Sequence, residues 1–176
     1  ERGAERVGAG GKIQIFADER DGMLRSHLDE ASYTVVRSSY EMERALDGVL
    51  EPPGWPAGIE PRPFEERDAE AVHAAHDESF ADHWGYAPTS LEGWRAFHLG
   101  PTADTTLWRV AWDGDEIAGV CINNPRRGED DTVGWVEVLA VRRPWRHRGL
   151  GEALLREAFV AFAKQGKRAV GLGVDA

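Results

Sequence analysis

An α/β fold, with a mixed central sheet and helices on both faces, is what this sequence predicts from three observations. Residues 106–112 and 116–123 read as strands that meet at Asp113-Gly114, a dipeptide suited to a tight hairpin because its positions tolerate positive φ. Residues 132–141 read as a third strand, which runs through a basic, glycine-bearing loop into a stretch, 150–165, whose Leu154, Ala158, Phe159 and Phe162 recur at helical spacing. Gly166 can close that helix, and residues 168–174 start a further strand. A hairpin followed by strand–loop–helix–strand needs both antiparallel and parallel pairing, so the sheet is mixed.

The other elements follow in chain order. Residues 12–16 alternate like a strand, 23–31 are helical and 33–39 read as a strand again. The segment Glu51-Pro52-Pro53-Gly54-Trp55-Pro56-Ala57-Gly58 holds three prolines and two glycines, which neither a helix nor a central strand accommodates. It is a linker, 51–58, between a piece of residues 1–50, too small to bury its own core, and a longer piece of residues 59–176. In the longer piece, residues 59–64 form a short strand whose prolines place it at an edge. Asp68 is expected to cap a helix that brings Val72, Ala75 and Phe80 to one face. A loop with His83, Trp84, Gly85 and Tyr86 then leads to a second helix over 91–99.

Composition narrows the function classes. With 41% hydrophobic and 30% charged residues the chain is globular, and no run reaches the roughly eighteen apolar residues that span a bilayer. A net charge of −10 argues against nucleic acid as a partner and is compatible with a cationic one. The single cysteine, Cys121, cannot form an internal disulfide, so a cytoplasmic location is expected, with no membrane partner. Cys121 itself reads as a small core residue. His73 and His76 lie three apart on a helix, but no third ligand accompanies them at ligand spacing, and no metal is expected.

Chemistry concentrates in residues 135–155, WVEVLAVRRPWRHRGLGEALL. The unpaired N–H groups of a helix's first turn, with its dipole, make an anion site. Gly149 and Gly151 let backbone approach a phosphate, while Arg146 and Arg148 add positive charge. A Walker-type loop would need Gly-Lys-Ser/Thr, and here Glu152-Ala153 follow Gly151. The dinucleotide fingerprint would need glycine at 154, which is Leu154. The pattern Arg-x-x-Gly-x-Gly after a Leu-Ala-Val strand end resembles instead the pyrophosphate loop of the GNAT superfamily of acyl-CoA-dependent N-acetyltransferases. The resemblance covers about residues 59–176, with the family's elements in order. Glu30-Ala31-Ser32-Tyr33 is similar to the Glu-x-Gly-Phe that closes the family's last helix. The chain therefore resembles a segment of a tandem, mycothiol-synthase-like protein: 1–50 ends a first acetyltransferase-like domain, and 59–176 is most of a second GNAT domain, truncated at its C-terminal end.

The resemblance implies a function and a site. Acetyl-CoA would be the cosubstrate, and the acetyl group would pass by direct attack to a primary amine on a small molecule or a protein. Main-chain groups of Leu139, Ala140 and Val141 would pair with the pantetheine arm, and Arg146, His147, Arg148, Gly149, Leu150 and Gly151 would hold the pyrophosphate. Glu137, the only carboxylate inside that strand, is the candidate base, since an attacking amine must be neutral. His83, Trp84 and Tyr86 fall where the family builds its acceptor pocket, and the family's general acid, a tyrosine, would lie beyond residue 176. The alternative is a non-catalytic acyl-CoA-binding or regulatory module. The missing strands leave a sheet edge that the first piece is expected to cover, within one molecule or by exchange in a homodimer.

Overall fold

The computed structural model describes residues 13, 15–48 and 50–175. They fall into two compact units that divide between Ser38 and Ser39. In the first unit, helix α1 (Gly22–Glu30) begins where Asp21 accepts a hydrogen bond from the Leu24 N–H at 3.0 Å, and it buries no residue. The strand expected over 12–16 is not seen where the chain is described: Ile13, Ile15 and Phe16 are exposed and irregular, while Lys12 and Gln14 lie outside the described residues. The strand expected over 33–39 is also displaced. Residues 33–38 are irregular, and the strand is β1 (Ser39–Ala45), in the second unit. Apolar residues alone do not make a strand; a ladder partner does, and that partner lies far away in sequence.

The second unit is one six-stranded sheet in the order β1-β6-β5-β4-β3-β2, with β2 (Ile59–Pro63), β3 (Arg109–Asp113), β4 (Glu116–Asn124), β5 (Val133–Val141) and β6 (Ala169–Asp175). Only β5 and β6 run parallel; every other neighbouring pair is antiparallel. β1 takes the far edge of β6 over seven positions, from Ser39 opposite Asp175 to Ala45 opposite Ala169. A strand from before the proline-rich segment thus occupies an edge that would otherwise present unpaired backbone groups. Segment 51–58 is irregular, yet Trp55 packs against the core.

Helices complete the layers. α4 (Leu150–Lys164) buries Leu150, Ala153, Leu154, Ala158 and Phe162. A Cβ on Gly134 of β5 would sit 2.3 Å from the Phe162 ring, so glycine is what lets helix and strand approach there. α2 (Ala69–Phe80) packs on the other face of β4 and β5 through Ala69, Val72, Ala75 and Ser79. Asp68 does not cap it: residues Glu66–Asp68 form a 3-10 turn that carries Asp68 into helical backbone, and its carboxylate makes no cap bond. The next helix, α3 (Leu91–His98), is capped by Ser90, whose hydroxyl accepts from the Gly93 N–H at 3.1 Å. Residues 106–112, read as one strand, hold a 3-10 turn at Thr105–Leu107 before β3 begins.

Candidate active site

β5 changes both of its partnerships at Glu137. On the β4 side Ile122 pairs with Val138 but Asn123 pairs with Val136, so Glu137 is the extra residue of a β-bulge. The bulge switches the faces of the strand. Before it, Gly134 looks at Phe162 of α4; after it, Val141 lies 3.7 Å from where a Cβ on Gly151 of α4 would be. On the β6 side pairing runs from Val133–Ala169 to Val136–Leu172 and stops. A bulge bends its strand and sharpens its twist, which accounts for β5 leaving β6 at that point. Among the described residues, 137–141 therefore have β4 as their one neighbouring strand.

At the open end of β5 the chain turns into α4 through Arg143–Trp145, a single 3-10 turn. His147 (φ 59°) and Gly149 (φ 81°) both adopt left-handed backbone, and Gly149 is the N-cap of α4 without any side-chain cap bond. The helix ladder starts with the Ala153 N–H donating to Gly149 O, so the N–H groups before it point out of the helix end. That end opens onto a cleft of about 390 Å³. Leu139, Ala140 and Val141 line it from β5, Arg146, His147, Gly149, Leu150 and Gly151 from the loop, and Ser79, Phe80, Asp82 and His83 from the α2 side. A strand edge without a partner and a helix end without a cap thus face one space. A ligand with an amide-bearing arm and a phosphate at one end matches both.

A model of the acetyltransferase (GNAT) family matches residues 69–176. The chain belongs to the GNAT acetyltransferase family. A mycothiol acetyltransferase of Thermobispora bispora is 30% identical over 146 residues, covering 81% of this chain and 50% of that protein. The crystal structure of a GCN5-related N-acetyltransferase from Sphaerobacter thermophilus superposes with a TM-score of 0.72 at 34% identity, over 88% of this chain and 47% of that one. The chain thus spans about half the length of both. A GNAT acetyltransferase of Brucella melitensis, crystallised with acetyl-CoA, shares the fold at TM-score 0.55 and 18% identity, over 65% of this chain and 74% of that one.

Within this GNAT domain the predicted residues separate into those that line the cleft and those that do not. Eight of the nine proposed carrier residues line it; Arg148 does not. Arg146 lines it with its guanidinium already engaged: Nε donates to Val141 O and Nη2 to Ser79 O, each at 3.0 Å. Glu137 lies just outside the lining. Its side chain is exposed, yet partial desolvation of the carboxylate raises its pKa. Of the predicted acceptor residues, His83 lines the cleft with its ring 4.5 Å from that of Phe80. Trp84 is about half exposed, and burial, with a hydrogen bond to the Asp77 carboxylate, pushes the Tyr86 phenol upward; neither lines the cleft.

Ser79, Phe80, Asp82 and Trp145 are lining residues that the sequence did not disclose. A signal for part of this was present: Glu78 lies in the last turn of one helix and Asp82 just past its end, and Arg142, Arg143 and Arg146 open the loop that faces them. Behind α2, His76 and His98 approach to 5.9 Å between ring centroids beside His73, and burial holds both below the usual histidine range, His98 at about 4. No group of three or more potential metal ligands gathers among the described residues. Cys121 is fully buried and its thiol is pushed up to about 12, so it stays protonated and unreactive. Gly171 makes room for the Trp135 ring, which lies 2.8 Å from where its Cβ would be.

Proposed function

We propose that the cleft seats acetyl-CoA and that the protein transfers its acetyl group to a primary amine by direct attack. One observation carries this reading: the free stretch of β5 and the uncapped N-terminus of α4 open into the same cleft. Backbone groups of Leu139, Ala140 and Val141 pair with the pantetheine arm as an added strand would. The N–H groups of Gly149, Leu150 and Gly151 take the pyrophosphate, with His147 and Arg148 beside them. The amine enters next to Glu137, on the side that His83, Trp84 and Tyr86 flank. Its lone pair attacks the thioester carbon, a C–N bond forms, and a β5 N–H stabilises the oxyanion. The C–S bond then breaks, the CoA thiolate collects a proton from water, and the amine proton passes to Glu137, directly or through water.

The raised pKa of Glu137 suits a base, and the bulge is what re-aims its side chain out of the sheet. The acceptor is a small metabolite, an antibiotic or a protein N-terminus. A tandem arrangement, with residues 1–50 ending a first domain whose last strand, β1, completes the sheet of the second, accords with relatives about twice as long as this chain.

Calorimetric titration with acetyl-CoA, CoA and NAD tests the cleft. Binding of both CoA compounds without NAD is the expected result, and Gly149→Ala should weaken it, because alanine at this φ costs about 1–2 kcal/mol and tilts the N–H groups. Glu137→Gln should lower kcat about 10²–10⁴-fold with acetyl-CoA affinity unchanged. An unchanged kcat removes Glu137 from the mechanism. Tight acetyl-CoA binding without turnover of any amine by wild type would make this a binding module instead.

A further inference from the structure

The charge of the strand-to-helix loop is directed largely at the protein itself. Three of its arginines converge on the C-terminal end of α2. Arg142 donates from Nε to Glu78 Oε2 at 2.6 Å and from Nη1 to Ile117 O at 2.9 Å. Arg143 forks onto the Asp82 carboxylate, with its Nε donating at 3.1 Å. Arg146 joins the Ser79 carbonyl of α2 to the Val141 carbonyl, the last of β5. The C-terminal end of a helix presents unpaired carbonyls and partial negative charge, so cations are matched to it twice over. Ser79, Asp82, Val141 and Arg146 all line the cleft, which makes these contacts the joint between its α2 wall and its β5 wall.

We propose that Arg142, Arg143 and Arg146 are positioning residues that clasp the end of α2 against β5 and set the width of the carrier cleft, Arg146 bridging the two walls instead of binding the carrier's phosphate. The proposal rests on the reading that this cleft takes an acyl carrier. A planar guanidinium satisfies two carbonyls in fixed directions, which the single ammonium of lysine does not reproduce. The clasp therefore acts on the thioester arm, which runs between the walls, and not on the phosphates at the loop.

Two donors separate these roles: acetyl-CoA, and S-acetylpantetheine, which has the same arm and thioester but no phosphate. Arg146→Ala should reduce kcat/KM for both by a similar factor, about tenfold or more, as small misplacements of reacting groups do. Arg146→Lys should fail to restore either. A loss confined to acetyl-CoA, with S-acetylpantetheine used as by wild type, would make Arg146 a phosphate ligand and overturn the proposal, as would no loss at all. The exposed pair Arg143–Asp82 gives a second route that leaves the core intact. In a double-mutant cycle of Arg143→Gln and Asp82→Asn, the KM for S-acetylpantetheine should rise in each single variant and no further in the double one. Additive effects would break the clasp. Wild type that binds neither donor would overturn the carrier reading itself and this proposal with it.

Discussion

Helices α4 and α2 cover opposite faces of the same two strands, β4 and β5, and are held there by different forces. α4 buries Leu150, Leu154 and Phe162, with Gly134 and Gly119 cleared so that it lies close to the sheet. α2 buries mostly small residues, and its grip comes from polar contacts at its C-terminal end and from a seam of rings against α3. Apolar burial has no charge to titrate or screen, whereas ion pairs weaken with salt and histidines respond to pH. The contrast is visible at the cleft between them: α4 presents its uncapped N-terminus to it, and α2 is the wall whose contacts carry the charges.

The two helices should differ most in the core. Phe162→Ala should cost about 3–5 kcal/mol, read from urea unfolding, because the ring fills the space over Gly134. Phe80→Ala on half-buried α2 should cost less than about 2 kcal/mol. Equal losses would show that α2 is packed as firmly as α4.

Acid should loosen the α2 side first. His98 binds a proton near 6.5 in the unfolded chain but only at about 4 when folded, and His76 is shifted in the same direction. Between those values the unfolded state carries more protons, so this contribution is fully present above pH 6.5 and is lost as pH falls towards 4. For His98 the loss is about 3 kcal/mol at most. The titratable groups beside the pair are His73, Asp77 and Tyr86, and α4 contains no histidine to mirror them. Melting temperature followed from pH 7 to 4.5 should fall more for wild type than for His98→Gln. Parallel curves would sink the assignment.

Helix starts give the smallest and sharpest test. Ser90→Ala should destabilise by about 1 kcal/mol, since its hydroxyl caps α3. Asp68→Ala should change stability by less than about 0.5 kcal/mol, because its carboxylate caps nothing. A loss at Asp68 matching that at Ser90 would mean that the 3-10 turn gives way to a capped helix in solution.

How far the site could be read follows the same division. The strand 132–141, the loop and the helix after it were legible because alternation, helical spacing and glycine chemistry are local; β5 and α4 match within one residue at each end. The displaced strand at 33–39 and the capped helix at Asp68 were misplaced because each depended on a neighbour the local sequence does not contain, β6 in one case and a preceding 3-10 turn in the other. The residues that close the cleft from α2 carry no motif at all, and their role arises only where Arg142, Arg143 and Arg146 meet them.

By itself the sequence determined the α/β class, the order of elements from β2 to β6 and the glycine turn at Gly149 that starts α4, because these depend on residues adjacent in the chain and on the φ values they allow. Tertiary structure alone decided that β1 completes the sheet, that β5 bulges at Glu137 and parts from β6, and that Arg146 points at carbonyls. Register and splay are set by how strands of unequal curvature fit together, and a guanidinium bonds whichever acceptors the packed elements bring within its reach.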